Sequence, residues 1–477
     1  MPENEKSSFG EWQKEQEFLA REKEKHPELF LRTPLIDDDS LLEQIGIAPD
    51  IFGTRPLGYI KLNPDDFIVE EIASDGTLHT VEDAPLLENE KIPELNENIR
   101  TTWAEAVKMG LDTIEIVNEI SQKLSLDKKF IGFAGIKDKH ALTAQLLSFR
   151  GIQPEKLRDI SASNFFLKNI YTGKGALQIG DLAGNRFTIF IRTREPISEQ
   201  ELLTKLAELE ENGFWNFFYI QRFGVPRLIS HKLGLLLLQG RFEDTVKSSL
   251  LYAGGREIKY FQEFRKSLAP FWGDWGALLK KTEPLAYALR SERKMLYFLE
   301  NHPKDFIGAL NQIPEQIRLW VYAYGSYLFN KKLSGLIQSG EDVAFELPVA
   351  LGKKAWAEEI YGAYFKNHGI SPPFQALKNF PYIQRPEKNI EVLKKFKLYG
   401  VRIVPGGFLI DFFLEKASYA TTFLSHLFML SSGQPIPEGI NLDEIDAKEI
   451  LGTGTIKPLK EGRFRELFEM RKEQNSL

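Results

Sequence analysis

The segment from Gly132 to Gln145, GFAGIKDKHALTAQ, constrains the fold of this chain more than any other stretch. Apolar and small residues alternate on both sides of a glycine-containing turn, which predicts a strand, a turn bearing Lys-Asp-Lys-His, and a second strand. Gly132 and Gly135 are expected to permit tight backbone geometry there. The chain is therefore expected to build a β-sheet around this turn.

Asp138 lies at the centre of the turn, between Lys137 and Lys139 and beside His140. Neighbouring cations lower the pKa of a carboxylic acid and also attract phosphate. An ionised carboxylate in such a field suits covalent catalysis at an electrophilic carbon, for example C1′ of a sugar. The alternative interpretation is a charged hairpin tip with a solvated aspartate.

The charges of the chain are unevenly distributed. The net charge is −6, and residues 1–100 carry 24 acidic and 10 basic side chains, whereas residues 125–194 carry 12 basic and 5 acidic ones. Screening limits the reach of each charge to about 8–10 Å, so a local basic region attracts phosphate whatever the total charge. RNA is therefore an admissible partner, although a solvated charged surface would have the same composition.

The periodicity of apolar and polar residues changes several times along the chain. Strand and helix patterns alternate first, a mostly helical stretch follows, and strand patterns then return. This order suggests a helical domain inserted into a catalytic domain. An acidic segment with two prolines, residues 84–99, is interpreted as an exposed loop. The predicted divisions are an acidic helical extension (1–53), a catalytic domain in two parts (54–222 and 378–435), an inserted domain (223–377) and a C-terminal tail (436–477).

The turn segment resembles the signature of the TruD family, the tRNA pseudouridine(13) synthases. The matching positions are Gly135, Lys137, Asp138, Lys139, Ala141, Thr143 and Gln145. Five further segments resemble the family in the same order along the chain. They are residues 63–72, 184–192, 216–224, 322–334 and 414–428.

The resemblance implies an α/β (α+β) fold: a pseudouridine-synthase catalytic domain with a mainly antiparallel mixed sheet, interrupted by a mostly helical inserted domain. It implies an enzyme that isomerises uridine to pseudouridine in tRNA at position 13, without a cofactor. Asp138 is then the catalytic residue, which either attacks the nucleoside or deprotonates it. The alternatives are a synthase for another tRNA position or for mRNA, and a non-catalytic RNA-binding protein.

Two residues of the predicted strand at 187–193 and its preceding turn are candidates for contact with the target base. A base must leave its stack to be reached, and an aromatic ring recovers part of the cost by stacking. Phe187 is the candidate for this ring; the alternative is a core residue of the strand. Asn185 can donate and accept hydrogen bonds, as reading a uracil edge requires, or it caps the turn.

Four charged residues complete the predicted substrate-binding set. Lys137 would hold Asp138 or a phosphate, and Lys139 would contribute to the same basic field. Glu71 would orient a lysine or receive a proton, unless it faces solvent on its strand. Arg222 would bind phosphate or pair with a carboxylate. The alternative interpretation is that it forms an interdomain salt bridge.

The sequence lacks the residues that several other kinds of functional site require. The chain contains no cysteine, so a disulfide framework, a cysteine nucleophile or a cysteine-ligated metal is excluded. Its seven histidines are scattered and form no H-x-x-x-H pair, so no metal is predicted. The sequence shows neither a secretory signal nor an apolar run long enough for a membrane span. These features favour a cytoplasmic protein, and we also expect the enzyme to be a monomer.

Overall fold

The computed structural model describes residues 3–31, 35–82, 94–96, 100–341 and 343–469. The chain divides into two compact units. Residues 1–54 and 215–394 form the first, called here the helical unit, and residues 55–214 and 395–477 form the second, the sheet unit. The predicted acidic loop at 84–99 lies, apart from residues 94–96, outside the described residues.

Sixteen α-helices occur in the part of the chain that the structure describes. They are α1 (Glu3–Lys25), α2 (Asp39–Gln44), α3 (Thr113–Leu124), α4 (Glu155–Arg158), α5 (Glu199–Asn212), α6 (Ser230–Leu238), α7 (Phe242–Leu251), α8 (Lys259–Leu268), α9 (Trp275–Thr282), α10 (Arg290–Asn301), α11 (Phe306–Leu310), α12 (Pro314–Ser339), α13 (Ala355–Asn367), α14 (Ala420–Leu424), α15 (Ala447–Leu451) and α16 (Lys457–Glu461).

The same described ranges contain sixteen strands, several of them very short. They are β1 (Leu35–Ile36), β2 (Leu57–Tyr59), β3 (Phe67–Ala73), β4 (Thr101–Met109), β5 (Ile131–Phe133), β6 (Leu142–Arg150), β7 (Ser161–Ala162), β8 (Phe165–Gly173), β9 (Leu182–Arg192), β10 (Phe214–Trp215), β11 (Glu346–Pro348), β12 (Asn389–Glu391), β13 (Leu393–Lys394), β14 (Phe396–Val404), β15 (Gly407–Glu415) and β16 (Met429–Ser432).

The sheet unit is built on a mixed, mainly antiparallel sheet. Its strands run in the order β16-β2-β9-β3-β6-β4-β8-β7, with β15 and then β14 added on β9 and with β5 paired to β6. Among the described residues of this unit, the pairs β16–β2 and β3–β6 are parallel, while β3–β9, β4–β6, β4–β8, β9–β15 and β14–β15 are antiparallel. The predicted fold class, α/β (α+β) with a mainly antiparallel mixed sheet, is therefore confirmed.

Alternation along the central strands sends apolar side chains to both faces of the sheet. On one face, Ala104 and Ala106 of β4 pack with Ile116 and Ile120 of α3. Helix α3 begins after Asp112, which accepts a hydrogen bond from the amide of Glu115 in a capping box. The sheet therefore has a helix-covered region on the face that α3 occupies.

The opposite face is covered by side chains from residues 456–468. Ile456, Leu459, Phe464 and Phe468 are buried there against a cluster that includes Ile68 of β3. The stretch 436–477 looked like a peripheral tail in sequence, because its prolines and charges conceal this short apolar set. The structure shows instead that residues of this stretch belong to the core of the sheet unit.

The helical unit has its own core, centred on α12. Leu233 and Leu237 of α6 pack against Val321, Tyr324 and neighbouring residues of that helix. Gly234 lets the two helices approach closely, because a Cβ at this position would lie 2.1 Å from the carbonyl oxygen of Trp320. The mostly helical character predicted for this part of the chain is confirmed.

The N-terminal residues belong to the helical unit. The buried carboxylate of Glu15 in α1 accepts hydrogen bonds from the amides of Tyr287 and Ala288, both at 2.9 Å. Asp38 caps α2 and also forms an ion pair with Arg256 at 2.6 Å. Within this unit the predicted extension is thus docked. The compact units differ in their bounds from the predicted domains, whose division stays a prediction.

None of the helices within the described ranges is long and apolar enough to cross a lipid bilayer.

Candidate active site

Asp138 lies in the sheet unit, in the turn between β5 and β6, as the strand–turn–strand pattern predicted. Strand β6 is a central strand between β3 and β4, so the turn is attached to the middle of the sheet. The side chain of Asp138 is 54% exposed. Its carboxylate is thus accessible to a substrate while its backbone is tied to a rigid element.

Lys61 is the direct partner of this carboxylate. Its Nζ lies 2.8 Å from Oδ2 of Asp138 and 4.1 Å from the centre of the Phe67 ring. The backbone of Lys61 has φ of 62°, in the left-handed region that costs a residue with a side chain about 1 kcal/mol or more. Strain of this kind persists only where the surroundings hold it, and here it places an ammonium group on the aspartate.

The protonation of Asp138 follows from its surroundings. Partial desolvation by the surrounding protein would by itself raise its pKa, but Lys61 acts in the opposite direction by charge and by hydrogen bonding, and Lys108 and His140 add to its effect. The net result is that the pKa of Asp138 lies below its usual value. The carboxylate is therefore ionised at neutral pH.

Lys108 of β4, which is completely buried, forms hydrogen bonds with the backbone of the turn. Its Nζ donates to the carbonyl oxygens of Leu111 at 2.6 Å, Asp138 at 2.8 Å and Lys137 at 3.5 Å. Burial lowers the pKa of Lys108 to about 7, against the opposing effect of Asp138. One buried side chain thus binds the carbonyl groups of two consecutive residues of the turn, Lys137 and Asp138.

Two further polar side chains fix the same turn. The hydroxyl of Thr113, at the start of α3, accepts a hydrogen bond from the amide of Lys137 at 2.8 Å and donates to the side chain of Gln145 at 2.7 Å. Gln145 in turn donates to the carbonyl oxygen of Gly135 at 3.1 Å. The last residue of the motif recognised in the sequence therefore holds the beginning of the turn.

The surroundings of the two glycines in this segment, Gly132 and Gly135, leave different amounts of space for a side chain. A Cβ at Gly132 would lie 2.5 Å from the carbonyl oxygen of Leu177 and 2.5 Å from the hydroxyl of Ser148, so this position requires glycine. A Cβ at Gly135 would meet the ammonium of Lys137 at an ordinary 3.6 Å. The expected tight geometry is correct for Gly132 and wrong for Gly135, where the backbone leaves room for a side chain.

Lys137 and Glu71 form a buried ion pair with each other. The side chain of Lys137 is 4% exposed, and Glu71 of β3 also accepts a hydrogen bond from the amide of Leu146 at 3.1 Å. Of the two roles considered for Glu71, orientation of a lysine matches this geometry. The Lys137 ammonium faces inward rather than toward a phosphate outside.

Asn185 and Phe187 lie on β9, paired in register with Glu71 and Val69 of β3. The side-chain oxygen of Asn185 is buried and has no hydrogen-bond partner. The Phe187 ring is 7% exposed and packs between Phe67, edge to face at 6.1 Å, and Phe412, stacked at 5.3 Å. This is the packing of a strand core residue. It joins β9 to β3, whose first residue, Phe67, carries the ring that the ammonium of Lys61 contacts.

Lys139 and Arg222 differ in their location. Lys139 is 47% exposed beside Asp138 and forms an ion pair with Glu115 in the first turn of α3. Arg222 belongs to the helical unit, where its guanidinium donates to the hydroxyl of Ser326 at 3.1 Å and lies over the Phe218 ring. The sheet unit therefore brings together Asp138, Lys137, Lys139, Glu71, Asn185 and Phe187.

Sequence reasoning missed the two lysines that contact the aspartate turn most directly. Lys61 immediately precedes the segment 63–72 that was recognised, but nothing local marks its contact with a residue 77 positions later. Lys108 was detectable, together with Glu105, as a charged residue inside the apolar pattern of β4. Among the described residues there is no group of three histidine or carboxylate side chains arranged to hold a metal ion.

Comparison with known proteins assigns a family to this arrangement. The family model of tRNA pseudouridine synthase D (TruD) matches residues 50–348, which is more than half of the chain and includes the whole aspartate turn. The chain belongs to the TruD family. The resemblance inferred from the sequence motifs is thereby confirmed.

Individual TruD proteins match over most of the chain. A Methanopyrus kandleri protein named Probable tRNA pseudouridine synthase D is 34% identical over 343 residues, covering 67% of this chain and 83% of its own. A protein of the same name from Methanosarcina mazei is 28% identical over 447 residues, covering 80% and 96%. A solved TruD structure from Methanosarcina mazei superposes with a TM-score of 0.60 at 25% identity, covering 81% of this chain and 97% of that one.

Proposed function

We propose that this TruD protein converts uridine to pseudouridine at position 13 of tRNA, with Asp138 as its catalytic residue. Family membership supports the reaction and the substrate class. The observation that carries the assignment of Asp138 is its geometry: an exposed carboxylate, paired with Lys61 at 2.8 Å, on a turn that buried side chains hold.

The reaction is an isomerisation, so its atoms balance within one nucleoside. The bond between C1′ and N1 of uridine breaks, a bond between C1′ and C5 forms, and the hydrogen of C5 is replaced by one on N1. Asp138 either attacks C1′ or removes a proton from the sugar, and both roles require the anion. The low pKa of Asp138 supports this role, since the carboxylate is ionised before the substrate arrives.

The remaining residues are proposed to act in two ways. Lys61, Lys108 and the Lys137–Glu71 pair position the aspartate and its turn. Asn185, whose buried oxygen lacks a partner, offers a polar group for the edge of the uracil. Lys139, half exposed beside Asp138, offers its charge to a backbone phosphate.

Phe187 and Arg222 already have contacts within the protein, and these contacts limit the roles that we propose for them. Phe187 would support the target base only through the part of its ring that its neighbours leave uncovered. Arg222 would contact RNA phosphate from the helical unit. We also propose that the enzyme acts without a cofactor, as the family resemblance implies, and that it is a cytoplasmic monomer.

The experiment that tests the proposed function is the mapping of pseudouridine in unmodified tRNA transcripts after treatment with the purified protein. Chemical labelling and mass spectrometry locate the product. We expect conversion of uridine 13, and no product at that position in a transcript carrying cytidine there. Pseudouridine at a different position or only in mRNA would overturn the assignment of the target. RNA binding without any pseudouridine would overturn the assignment of the reaction.

A further inference from the structure

The two most exposed large apolar side chains of the sheet unit, among its described residues, are Ile179 at 71% and Ile136 at 64%. Single apolar residues on a surface are common and require no explanation. These two, however, lie on neighbouring segments next to the same turn. The amide of Gly180 donates to the carbonyl oxygen of Ala134 at 2.8 Å, so each isoleucine is within two residues of one hydrogen bond.

Both isoleucines are presented on a fixed backbone. Ile136 stands between Gly135, whose carbonyl accepts from Gln145, and Lys137, whose amide donates to Thr113. It is also two residues from Asp138. Its position in the catalytic turn is therefore set by hydrogen bonds on both sides, and its side chain is largely exposed to solvent.

Ile179 occupies the tip of a turn that is closed at several points. The amide of Asp181 donates to the carbonyl oxygen of Gln178 at 3.0 Å, and the carboxylate of Asp181 accepts from the amide of Gln178 at 2.7 Å. Lys416 donates to the carbonyl oxygen of Gly180 at 2.9 Å. A turn held this firmly keeps an isoleucine in water, which is unfavourable unless another molecule covers it.

We propose that Ile136 and Ile179 are wedge residues, which insert beside the target nucleotide and cover the bases that its extrusion leaves unstacked. The inference rests on the proposed function. Enzymes that act on a base within a paired region must pay for its unstacking, and apolar side chains placed between base steps lower that cost. The exposed Lys139, three residues from Ile136, supplies positive charge for a flanking phosphate, which favours RNA as the occupant.

The test compares two substrates with one double variant. Ile136→Ala/Ile179→Ala is assayed on a folded tRNA transcript and on a transcript in which mismatches weaken the pairing around the target uridine. We expect kcat/KM to fall by about tenfold or more on the folded transcript and by less than about threefold on the mismatched one. The matched control is Leu442→Ala/Ile450→Ala, which removes two other exposed apolar side chains of the sheet unit and should leave both values unchanged.

Three results would overturn the proposal. They are equal losses on the two transcripts, no loss on either, or an equal loss in the control. A wild-type dimer that the isoleucine substitutions dissociate, measured by light scattering, would identify a second copy of the chain as the occupant instead. A wild-type enzyme that forms no pseudouridine in either transcript would refute the proposed function itself, whereas an active wild type with an unaffected double variant refutes the wedge alone.

Discussion

At the scale of single residues, the site consists of one exposed carboxylate whose position and charge are set by groups around it. Lys61 contacts the carboxylate, and Lys108 contacts the backbone that carries it. Both contacts join residues that are far apart in sequence, so their effects on Asp138 arise only in the folded sheet. Each can be removed separately, which gives two different predictions.

Replacing Lys61 with methionine should change the pH dependence of the reaction. Lys61 contributes to the low pKa of Asp138, while burial acts in the opposite direction. Without the lysine this pKa rises, so activity that needs the anion is lost at a higher pH as the solution is made more acidic. We expect the acidic limb of the kcat/KM profile to move to higher pH, and Lys129→Met, in an exposed pair with Asp127, to leave it in place. An unchanged acidic limb in Lys61→Met would contradict this assignment.

Replacing Lys108 with methionine should lower kcat by about tenfold or more, because the backbone at Asp138 loses its fixed position. The RNA dissociation constant should stay close to that of the wild type, since Lys108 is buried and cannot touch RNA. The matched control is Lys168→Met, which removes another buried lysine, on β8, with a carbonyl partner at Glu82. Equal loss of kcat in both variants would indicate general destabilisation rather than positioning.

Sequence reasoning was effective for the residues whose chemistry is local. Asp138 was identified because glycine, cations and a recognisable motif surround it within a few positions. Glu71 and Lys137 were both selected, but their mutual ion pair depends on the pairing of β3 with β6, which no local pattern specifies. Long-range contacts of this kind decide which charged side chains face a substrate and which face each other.

At the scale of secondary-structure elements, periodicity predicted strands that frame the site. The two strands on either side of the aspartate turn, β5 and β6, and strand β9 were expected close to where they occur. The helix α16 and the residues after it were not expected in the core, because their apolar residues are few and lie among prolines and charges. Their importance comes from the sheet face that they cover.

This contribution can be measured through Phe464, which is buried against Phe166 of β8 with ring centres 5.6 Å apart. Phe464→Ala removes a core ring and should lower the free energy of unfolding of the sheet unit by about 3–5 kcal/mol. Denaturant titration, with hydrogen exchange of the β6 amides to follow that unit, measures the change. Leu442→Ala, at a half-exposed position, serves as the control and should change stability by less than about 0.5 kcal/mol. A loss in Phe464→Ala no larger than in the control would show that the chain end is peripheral.

At the scale of the whole molecule, the total charge conceals the property that matters for RNA. The chain as a whole is acidic, yet residues 125–194, which include the aspartate turn, carry an excess of basic side chains. Some of these basic side chains form buried ion pairs, as Lys137 does with Glu71, and others are exposed to solvent, as Lys139 is. Composition alone could not separate these two groups, because burial depends on the fold.

The exposed part should make RNA binding sensitive to salt. Displacement of counterions from phosphates predicts that the dissociation constant for tRNA rises by about tenfold or more between about 50 and 200 mM salt. Lys139→Gln should reduce the slope by about one phosphate contact, and Lys457→Gln, on α16, should leave it unchanged. Filter binding or fluorescence anisotropy over a salt series measures both slopes. Binding that does not depend on salt would contradict a phosphate-binding surface.

The most direct test of the central claim is the single-turnover rate of pseudouridine formation by Asp138→Asn at saturating tRNA. Asp127→Asn is its matched control, because Asp127 is also 54% exposed, pairs with a lysine and lies in the same unit. We predict that Asp138→Asn binds tRNA with normal affinity and forms no detectable pseudouridine, while Asp127→Asn reacts at the wild-type rate. Product formation by Asp138→Asn at a rate near that of the wild type would contradict the assignment of Asp138 as the catalytic residue.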